Sequence, residues 1–201
     1  MYIESNGGIS MNKILTEKEY QKYLLEQLEQ DAGYIIRDAK TDFDRLFALD
    51  REILFKFLVD TQPDTMDALR KIYKSDFEET LVNYINNEMT KTRGSLIDVL
   101  KHGVEISNYK VNLMYRRPAT SFNKDLTAKY EHNTLSVMEE VWASDKERID
   151  VVIFLNGIAI MSFELICNFA AQSYEDAIYQ YRSDRNPKTR LFLFKAGCLV
   201  N

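Results

Sequence analysis

Cysteine and histidine are scarce in this 201-residue chain. Its two cysteines, Cys167 and Cys198, are too few for a disulfide framework and suit a reducing compartment, so we interpret both as small apolar core residues. Its two histidines, His102 and His132, have no neighbour at a metal-ligand spacing, so the sequence does not supply the ligands of a zinc site. We expect His102, in KHGVE, to end a helix.

Long hydrophobic runs are also missing. The longest apolar stretch, residues 151–163, is interrupted by Asn156-Gly157 and is too short to span a bilayer. The first ten residues, MYIESNGGIS, lack the apolar core of a signal peptide. We therefore expect a cytoplasmic protein without a membrane partner, in which residues 1–13 form a leader or a disordered N-terminus.

Positive charge is in deficit, with a net charge of -5 that argues against a whole-surface attraction to nucleic acid. The segment 182–195 is an exception because it contains a single acid, Asp184. Its bases are Arg182, Arg185, Lys188, Arg190 and Lys195. Two interpretations stay open for this segment: a patch that contacts DNA, or a solvated face.

Helical periodicity dominates the first half of the chain. In residues 16–31 it places Tyr20, Tyr23, Leu24 and Leu28 on one stripe, before a stop at Gly33. A second helix is predicted from about 43 to 59. A third, TMDALRKIYK, is predicted to be capped by Asp64 or Thr65, and a fourth is FEETLVNYINNEMTK.

Alternating patterns follow Gly103 and predict strands. YKVNLMY and NTLSVMEEVWA alternate, with a short helix near 124–130 between them, and VVIFL-NG-IAIMSFELI predicts two buried strands joined by a tight turn. QSYEDAIYQYRSD then predicts a capped helix and RLFLF a strand. The fold class is therefore α/β, a mixed β-sheet flanked by helices. The helical part spans about 14–103 and the sheet core about 104–201.

One acidic side chain, Glu164 in SFELICNF, stands inside a predicted strand, fourteen residues after Asp150. A two-residue Asn-Gly loop pairs Leu155 with Ile158 and turns Asp150 and Glu164 to opposite faces, because opposed residues share a face. A three-residue loop, with Gly157 left-handed as a bulge, brings both acids to one face together with Ile166. The letters Asn-Gly permit both arrangements.

Two carboxylates on one face repel each other unless a cation joins them, and such hard oxygen ligands suit Mg²⁺. A bound metal lowers the pKa of its water and stabilises charge that develops on a phosphate. The alternative is that Asp150 starts its strand at solvent and Glu164 pairs with a base such as Arg182. Spacing alone leaves this choice open.

Over a longer span the chain resembles a known family. The run ERIDVVIFLNGIAIMSFEL, followed by QSYEDAIYQYRSDRNPKTRLFLFKAGCLV, resembles the N-terminal part of the R subunit of type I restriction-modification enzymes. LFKFLVDTQPDTMDALRKIY and GSLIDVLKHGVEISN look like the helical part that precedes it in that family, so the resemblance covers roughly residues 14–201. It implies a restriction-endonuclease-like fold of the PD-(D/E)xK superfamily and a chain truncated before the motor domains of the parent protein.

By this resemblance, Asp150 and Glu164 would bind Mg²⁺ and Ile166 stands where the family has its catalytic lysine. Gln180 matches the glutamine that the superfamily often places on the next helix; the alternative is an ordinary polar helix residue. Related nucleases also take a glutamate from an N-terminal helix, and Glu19 or Glu26 would be the candidate here; the alternative is that both lie on a solvated helix face. Isoleucine supplies neither charge nor donor, so we expect impaired cleavage.

The resemblance implies a type I site-specific deoxyribonuclease domain that acts on double-stranded DNA. In the parent protein, an ATP-driven motor would follow, with methyltransferase and specificity subunits as partners. This chain lacks a glycine-rich loop ending in Gly-Lys-Ser/Thr, so ATP binding is expected only in the full-length parent. Two alternatives remain: an inactive module of the same fold that binds DNA or docks a subunit, using Arg182, Arg185, Lys188 and Arg190, and a helical interaction domain over residues 43–92.

Overall fold

The computed structural model describes residues 16–91, 96–120, 122–165, 179 and 191. The predicted C-terminal helix and final strand lie largely outside these residues. Tyr179 and Leu191 both have helical backbone, and Leu191 is buried. The prediction of a strand at 190–194 is therefore wrong at Leu191.

The described part of the chain is a mixed α/β structure. Its helices are α1 (Glu17–Ala32), α2 (Arg51–Thr61), α3 (Pro63–Tyr73), α4 (Phe77–Thr90), α5 (Leu96–His102) and α6 (Lys124–Glu131), with a 3-10 turn at Lys74–Asp76. Its strands are β1 (Ile35–Arg37), β2 (Val104–Ile106), β3 (Tyr109–Val111), β4 (Leu135–Trp142), β5 (Arg148–Leu155) and β6 (Ile158–Phe163). No described helix has the length and apolar character that crossing a membrane requires.

The main sheet has four strands in the order β1-β4-β5-β6. The β4–β5 and β5–β6 pairs are antiparallel, while β1 runs parallel to β4, so the predicted mixed sheet is confirmed. Strand β1 was missed because three residues, Ile35–Arg37, carry too little pattern within a helical region. The predicted strand 109–115 ends at Val111 and pairs only with β2, in a separate hairpin.

Helix α1 agrees with its predicted limits and ends at Gly33, whose φ of 70° is the left-handed conformation of a helix cap. The face it buries differs from the predicted stripe. Gln21 and Leu25 are buried, whereas Tyr20 and Tyr23 are about half exposed. The buried face of α1 is therefore centred one residue closer to the C-terminus than the predicted apolar stripe.

Helix α2 begins at Arg51, eight residues after the predicted start at 43. Asp44 accepts hydrogen bonds from the backbone N–H groups of Leu46 and Phe47, which hold residues 43–50 in turns, and Asp50 then caps α2 by accepting from Ile53. The predicted side-chain cap of α3 is also wrong. Pro63 occupies the first turn of that helix, and Gln62 precedes it without a capping hydrogen bond.

The central strand β5 is buried on both faces of the sheet. On one face, Val151 and Ile153 pack with Leu25 of α1. On the other, Val152 and Phe154 belong to a larger cluster that includes residues of α2, α3, α4 and α5. Helices from 43–92 thus share a core with the sheet, which is the arrangement expected if they serve the fold.

The Asn156-Gly157 turn is buried against two other segments. Asn156 is fully buried; its Oδ1 accepts from the Thr134 N–H at 2.7 Å, and its Nδ2 donates to the Leu113 carbonyl at 2.9 Å. The Gly157 carbonyl accepts from the Asp50 N–H at 2.8 Å, just before α2. These bonds fix the turn end of the β5–β6 hairpin.

An ion pair connects β1 to the same region. Arg37 donates from Nε to the buried Asp50 carboxylate at 2.7 Å and also pairs with Glu52 at 2.6 Å. Burial by itself lowers the pKa of Arg37, but its hydrogen bonds to Asp50 and Glu52 outweigh that effect and raise the pKa. Arg37 therefore stays charged and offsets the Asp50 charge inside the fold.

Gly157→Ala should destabilise the protein by about 3 kcal/mol or more, because the new methyl group would lie 2.2 Å from the Asp50 carbonyl oxygen at a φ of +78°. Gly33→Ala is the matched control. Its φ is also positive, +70°, but nothing lies within 4 Å of the added carbon, so a loss of about 1 kcal/mol is expected. Urea unfolding at neutral pH measures both, and equal losses would contradict the packing argument.

Candidate active site

The β5–β6 hairpin sets the relation between Asp150 and Glu164. Asn156 and Gly157 have φ values of 50° and 78°, and Leu155 pairs with Ile158, so the loop has two residues. The pairs Phe154↔Ala159 and Ile153↔Met161 then leave Ile160 without a partner, as a β-bulge. A two-residue loop and an extra residue therefore occur together, a combination that neither sequence alternative contained.

Beyond the bulge, the register runs from Ile153↔Met161 to Val151↔Phe163. Extended by one step past the end of β6, this register would set Asp150 opposite Glu164, and opposed residues share a face. Glu164 was predicted within the strand, but it lies one residue past the end of β6 and is partly buried. The sequence alternative in which a two-residue loop turns the acids to opposite faces assumed a continuous ladder, and the bulge at Ile160 changes that register.

Asp150 is 7% exposed, and its side chain is held by the chain that follows β6. Its Oδ2 accepts a hydrogen bond from the Leu165 backbone N–H at 2.8 Å. Leu165 itself packs with the small cluster on the α1 face. Asp150 thus fixes the backbone directly after Glu164, and one of its carboxylate oxygens already has a donor.

A glutamine from α1 also reaches this region. Gln21 is 4% exposed, and its Nε2 donates to Glu139 Oε2 at 3.0 Å, with longer contacts of 3.4 Å to Glu140 Oε1 and the Asp150 carbonyl. One amide group therefore links the N-terminal helix to two acids of β4 and to the backbone of Asp150.

Helix α1 also carries the two glutamates predicted as candidate metal ligands, Glu19 and Glu26. Glu19 accepts from the Thr16 N–H in the capping box of α1, and Glu26 lies 3.7 Å from Lys22 on the exposed side. Gln21 was missed because polar residues are normally assigned to solvent. The available signal was its position four residues before the buried Leu25, on the same helix face.

A cleft of about 540 Å³ lies beside the acids of β4. Its walls are formed by Ile36, Arg37, Asp38, Ala39, Lys40, Glu139 and Glu140. Glu140 has a φ of 55° and lies between the ladder pairs Glu139↔Val151 and Val141↔Ile149, level with Asp150. Arg148 pairs with Glu140 at 2.6 Å and neutralises part of this acidic region.

The donor set fits a hard divalent cation. Within residues 16–91, 96–120 and 122–165, no three Asp, Glu, His or Cys side chains converge as a metal cage. Mg²⁺ does not require one, because it keeps several waters and is usually held by one or two carboxylates together with substrate phosphates. Asp150 in β5 would provide one such ligand, and Glu164, one residue past the end of β6, would provide the other.

Several predicted site residues lie outside the described residues. These are Ile166, Gln180, Arg182, Arg185, Lys188 and Arg190. Their roles stay predictions from sequence.

Comparison with known families shows what the chain is similar to. A family model described as the type I restriction enzyme R protein N terminus matches residues 14–201. The chain belongs to this family. A comparison with curated proteins finds no match. The family that the sequence resemblance indicated is thereby confirmed, over the same span. In this R-protein N terminus, the family match includes both helix α1, with Gln21, and the hairpin that carries Asp150 and Glu164.

Gln21→Glu should destabilise the domain by about 2 kcal/mol or more at pH 7, because it places a buried carboxylate beside Glu139 and Glu140 and removes the amide donor. Burial and like charges raise the folded-state pKa of the new group. The penalty is therefore complete above that pKa and fades as the pH falls towards the unfolded value of about 4.3.

Gln21→Met is the control for this experiment, since it keeps the side-chain length and removes the donor without adding charge. We expect a loss of about 1 kcal/mol for it, without the added pH dependence. Urea unfolding at about pH 7 and about pH 5 distinguishes the two variants. A glutamate variant that is as stable as the methionine variant at neutral pH would show that Gln21 does not face the acids.

Proposed function

We propose that this chain is the endonuclease domain of a type I restriction enzyme R subunit. In this proposal it has the PD-(D/E)xK fold and hydrolyses phosphodiester bonds of double-stranded DNA with Mg²⁺. The observation that carries the proposal is the β5–β6 register in a chain of the R-protein family, because one step beyond Val151↔Phe163 it would set Asp150 opposite Glu164. The four-stranded mixed sheet flanked by helices is compatible with such a fold.

Asp150 and Glu164 have different surroundings, which supports different roles in the proposed site. Asp150 is buried and held through Oδ2 by the Leu165 N–H, so its carboxylate orientation is fixed before any ligand arrives. Glu164 follows the strand end and is partly buried. When bound, Mg²⁺ would supply an acidified water and positive charge for the phosphate.

Gln21 is proposed as a positioning residue. Its amide contacts Glu139 at 3.0 Å and the Asp150 carbonyl at 3.4 Å, so it links the acid-bearing strand to α1. It reaches the backbone of Asp150 rather than its carboxylate. Its contribution is therefore to hold β5 in place rather than to bind a reacting group.

Impaired cleavage follows from isoleucine at position 166. A lysine there would place a point charge and three donors near the attacked phosphate. Isoleucine removes that transition-state interaction and leaves Asp150 and Glu164 in place. Rates should therefore be lower by about 10²- to 10⁴-fold, which is the usual span for one such polar group.

The second candidate is a DNA-binding or subunit-docking module of the same fold, and position 166 is the observation that favours it. In either case the proposed partners are double-stranded DNA and, through the parent protein, the methyltransferase and specificity subunits. ATP is assigned to motor domains of the parent protein, since this chain has no Gly-Lys-Ser/Thr phosphate loop.

Ile166→Lys should raise magnesium-dependent nicking of supercoiled DNA by about 10²-fold or more, because it restores the missing charge. Ile166→Met is the matched control, an unbranched side chain without charge, and should leave the rate unchanged. Adding Asp150→Asn to the lysine variant should abolish the gain, which ties the activity to this site. Equal nicking by the lysine and methionine variants would refute the assignment of position 166.

Mg²⁺ should raise the melting temperature of the wild-type protein, because a ligand at about ten times its Kd adds about 1.4 kcal/mol of stability. Asp150→Asn should remove most of this increase. The control is Asp125→Asn, which replaces a carboxylate of α6 that is paired with Lys129 at 3.1 Å. Differential scanning fluorimetry with and without Mg²⁺ measures the shift, and the same increase in all three proteins would place the metal elsewhere.

A further inference from the structure

The segment from the end of β2 to the first residue of α6, which contains the loop after β3, is strongly cationic in an acidic chain. From residue 106 to residue 124 the sequence has four bases and no acid. One of the four, Lys110, lies opposite Glu105 in the β2–β3 ladder. The other three, Arg116, Arg117 and Lys124, are exposed.

Within the part of the chain that the structure describes, these three cations lack the acidic partners that other basic residues have. Among the seven arginines in the described residues, Arg37, Arg45, Arg51, Arg70 and Arg148 each pair with a carboxylate. For Arg116, Arg117 and Lys124, no ion pair within 4 Å is present in the same residues. The acid that follows in sequence, Asp125, pairs with Lys129 instead. The loop therefore presents a concentrated positive charge to solvent.

The base of the loop is fixed to the hairpin core. Asn133 donates to the Tyr115 carbonyl at 2.6 Å and accepts from the Tyr115 N–H at 3.2 Å. Leu113 is buried, and its carbonyl accepts from Asn156 at 2.9 Å. Arg116 and Arg117 follow directly, so their backbone is positioned before any partner binds and the ordering cost of binding is reduced.

We propose that Arg116, Arg117 and Lys124 form a second DNA contact, which binds backbone phosphates of the duplex at a distance from the acidic pair. This inference rests on the proposed function, from which DNA is taken as the partner. The guanidinium groups suit phosphate because their planar donors match its oxygens in pairs. The loop is anchored at Asn156, whereas Asp150 lies six residues back along β5, about 20 Å away at the usual rise per residue. That separation corresponds to about six base pairs of duplex.

DNA binding is measured by fluorescence anisotropy of a labelled duplex in EDTA, with salt varied from about 50 to about 200 mM. The Arg116→Gln/Arg117→Gln variant removes two proposed phosphate contacts. It should reduce the slope of log affinity against log salt by about 1.8 and weaken binding at low salt at least about tenfold. Its melting temperature should equal that of wild type, since both side chains are exposed.

The matched control is Arg45→Gln/Arg70→Gln, which changes the net charge equally at two arginines that already have acidic partners. It should change affinity by less than about twofold, with the slope unaltered, because neither position contacts a phosphate. An equal loss of DNA affinity in the two double variants would show that only net charge matters and would overturn the inference. An unchanged slope in the loop variant, or no binding by wild type, would also overturn it.

Different results would refute the proposed loop contact and the proposed nuclease site. If Ile166→Lys gains nicking while the loop variant binds DNA like wild type, the loop contact is wrong and the nuclease assignment stands. If the loop variant loses salt-dependent binding but Ile166→Lys gains no nicking, the DNA contact stands and the chain acts as a binding module.

Discussion

The contact between the Asn156-Gly157 turn and Asp50 holds together the β5–β6 hairpin, helix α2 and strand β1. The Asp50 N–H donates to the Gly157 carbonyl, while the Asp50 carboxylate caps α2 and pairs with Arg37 of β1. One buried acid thus joins the central hairpin, the first helix of the large core cluster and the parallel edge strand. The pairing with Arg37 makes this burial tolerable, since an isolated carboxylate at that depth would be strongly unfavourable.

The Asn156-Gly157 turn is fixed at one end of the β5–β6 hairpin. The number of residues in each strand between the turn and Asp150 therefore decides which residue lies opposite Asp150. At the other end, the Leu165 N–H donates to Asp150. Between these two anchors, β6 has one residue more than its partner strand can pair, and Ile160 takes up that excess. Ile160 packs against both core clusters, so the bulge is filled on each side of the sheet rather than left as a defect.

Strong local patterns made much of the fold predictable. The limits of α1, α4 and α6 and the positions of β4, β5 and β6 follow from periodicity, Gly33 and the Asn-Gly turn. Elements that depend on distant partners did not follow. Strand β1 has three residues and pairs with β4 about a hundred residues later, and residues 43–50 form turns because Asp44 accepts bonds that a helix would otherwise have satisfied internally.

The candidate site was predictable only in part, for a similar reason. Asp150 and Glu164 can be selected from sequence, but their relation depends on a bulge whose position no single residue type marks. Gln21 is recognisable only once the buried face of α1 is known, and the cations at 116–124 stand out only when the acids of neighbouring elements are placed. Local sequence identifies candidate groups, whereas packing decides which of them meet.

The extra residue in β6 has a consequence for how length changes act on this hairpin. A chain shortened by Ile160 alone could pair β5 and β6 continuously from Leu155 to Asp150, with the same residues still opposed at the far end. Such a deletion would remove the bend and added twist that a bulge gives its strand, together with the packing of Ile160, without changing which residues are opposed. In this hairpin, loss of Ile160 would therefore alter the direction in which the end of β6 points, but it would not alter which residues of β5 and β6 are opposed there.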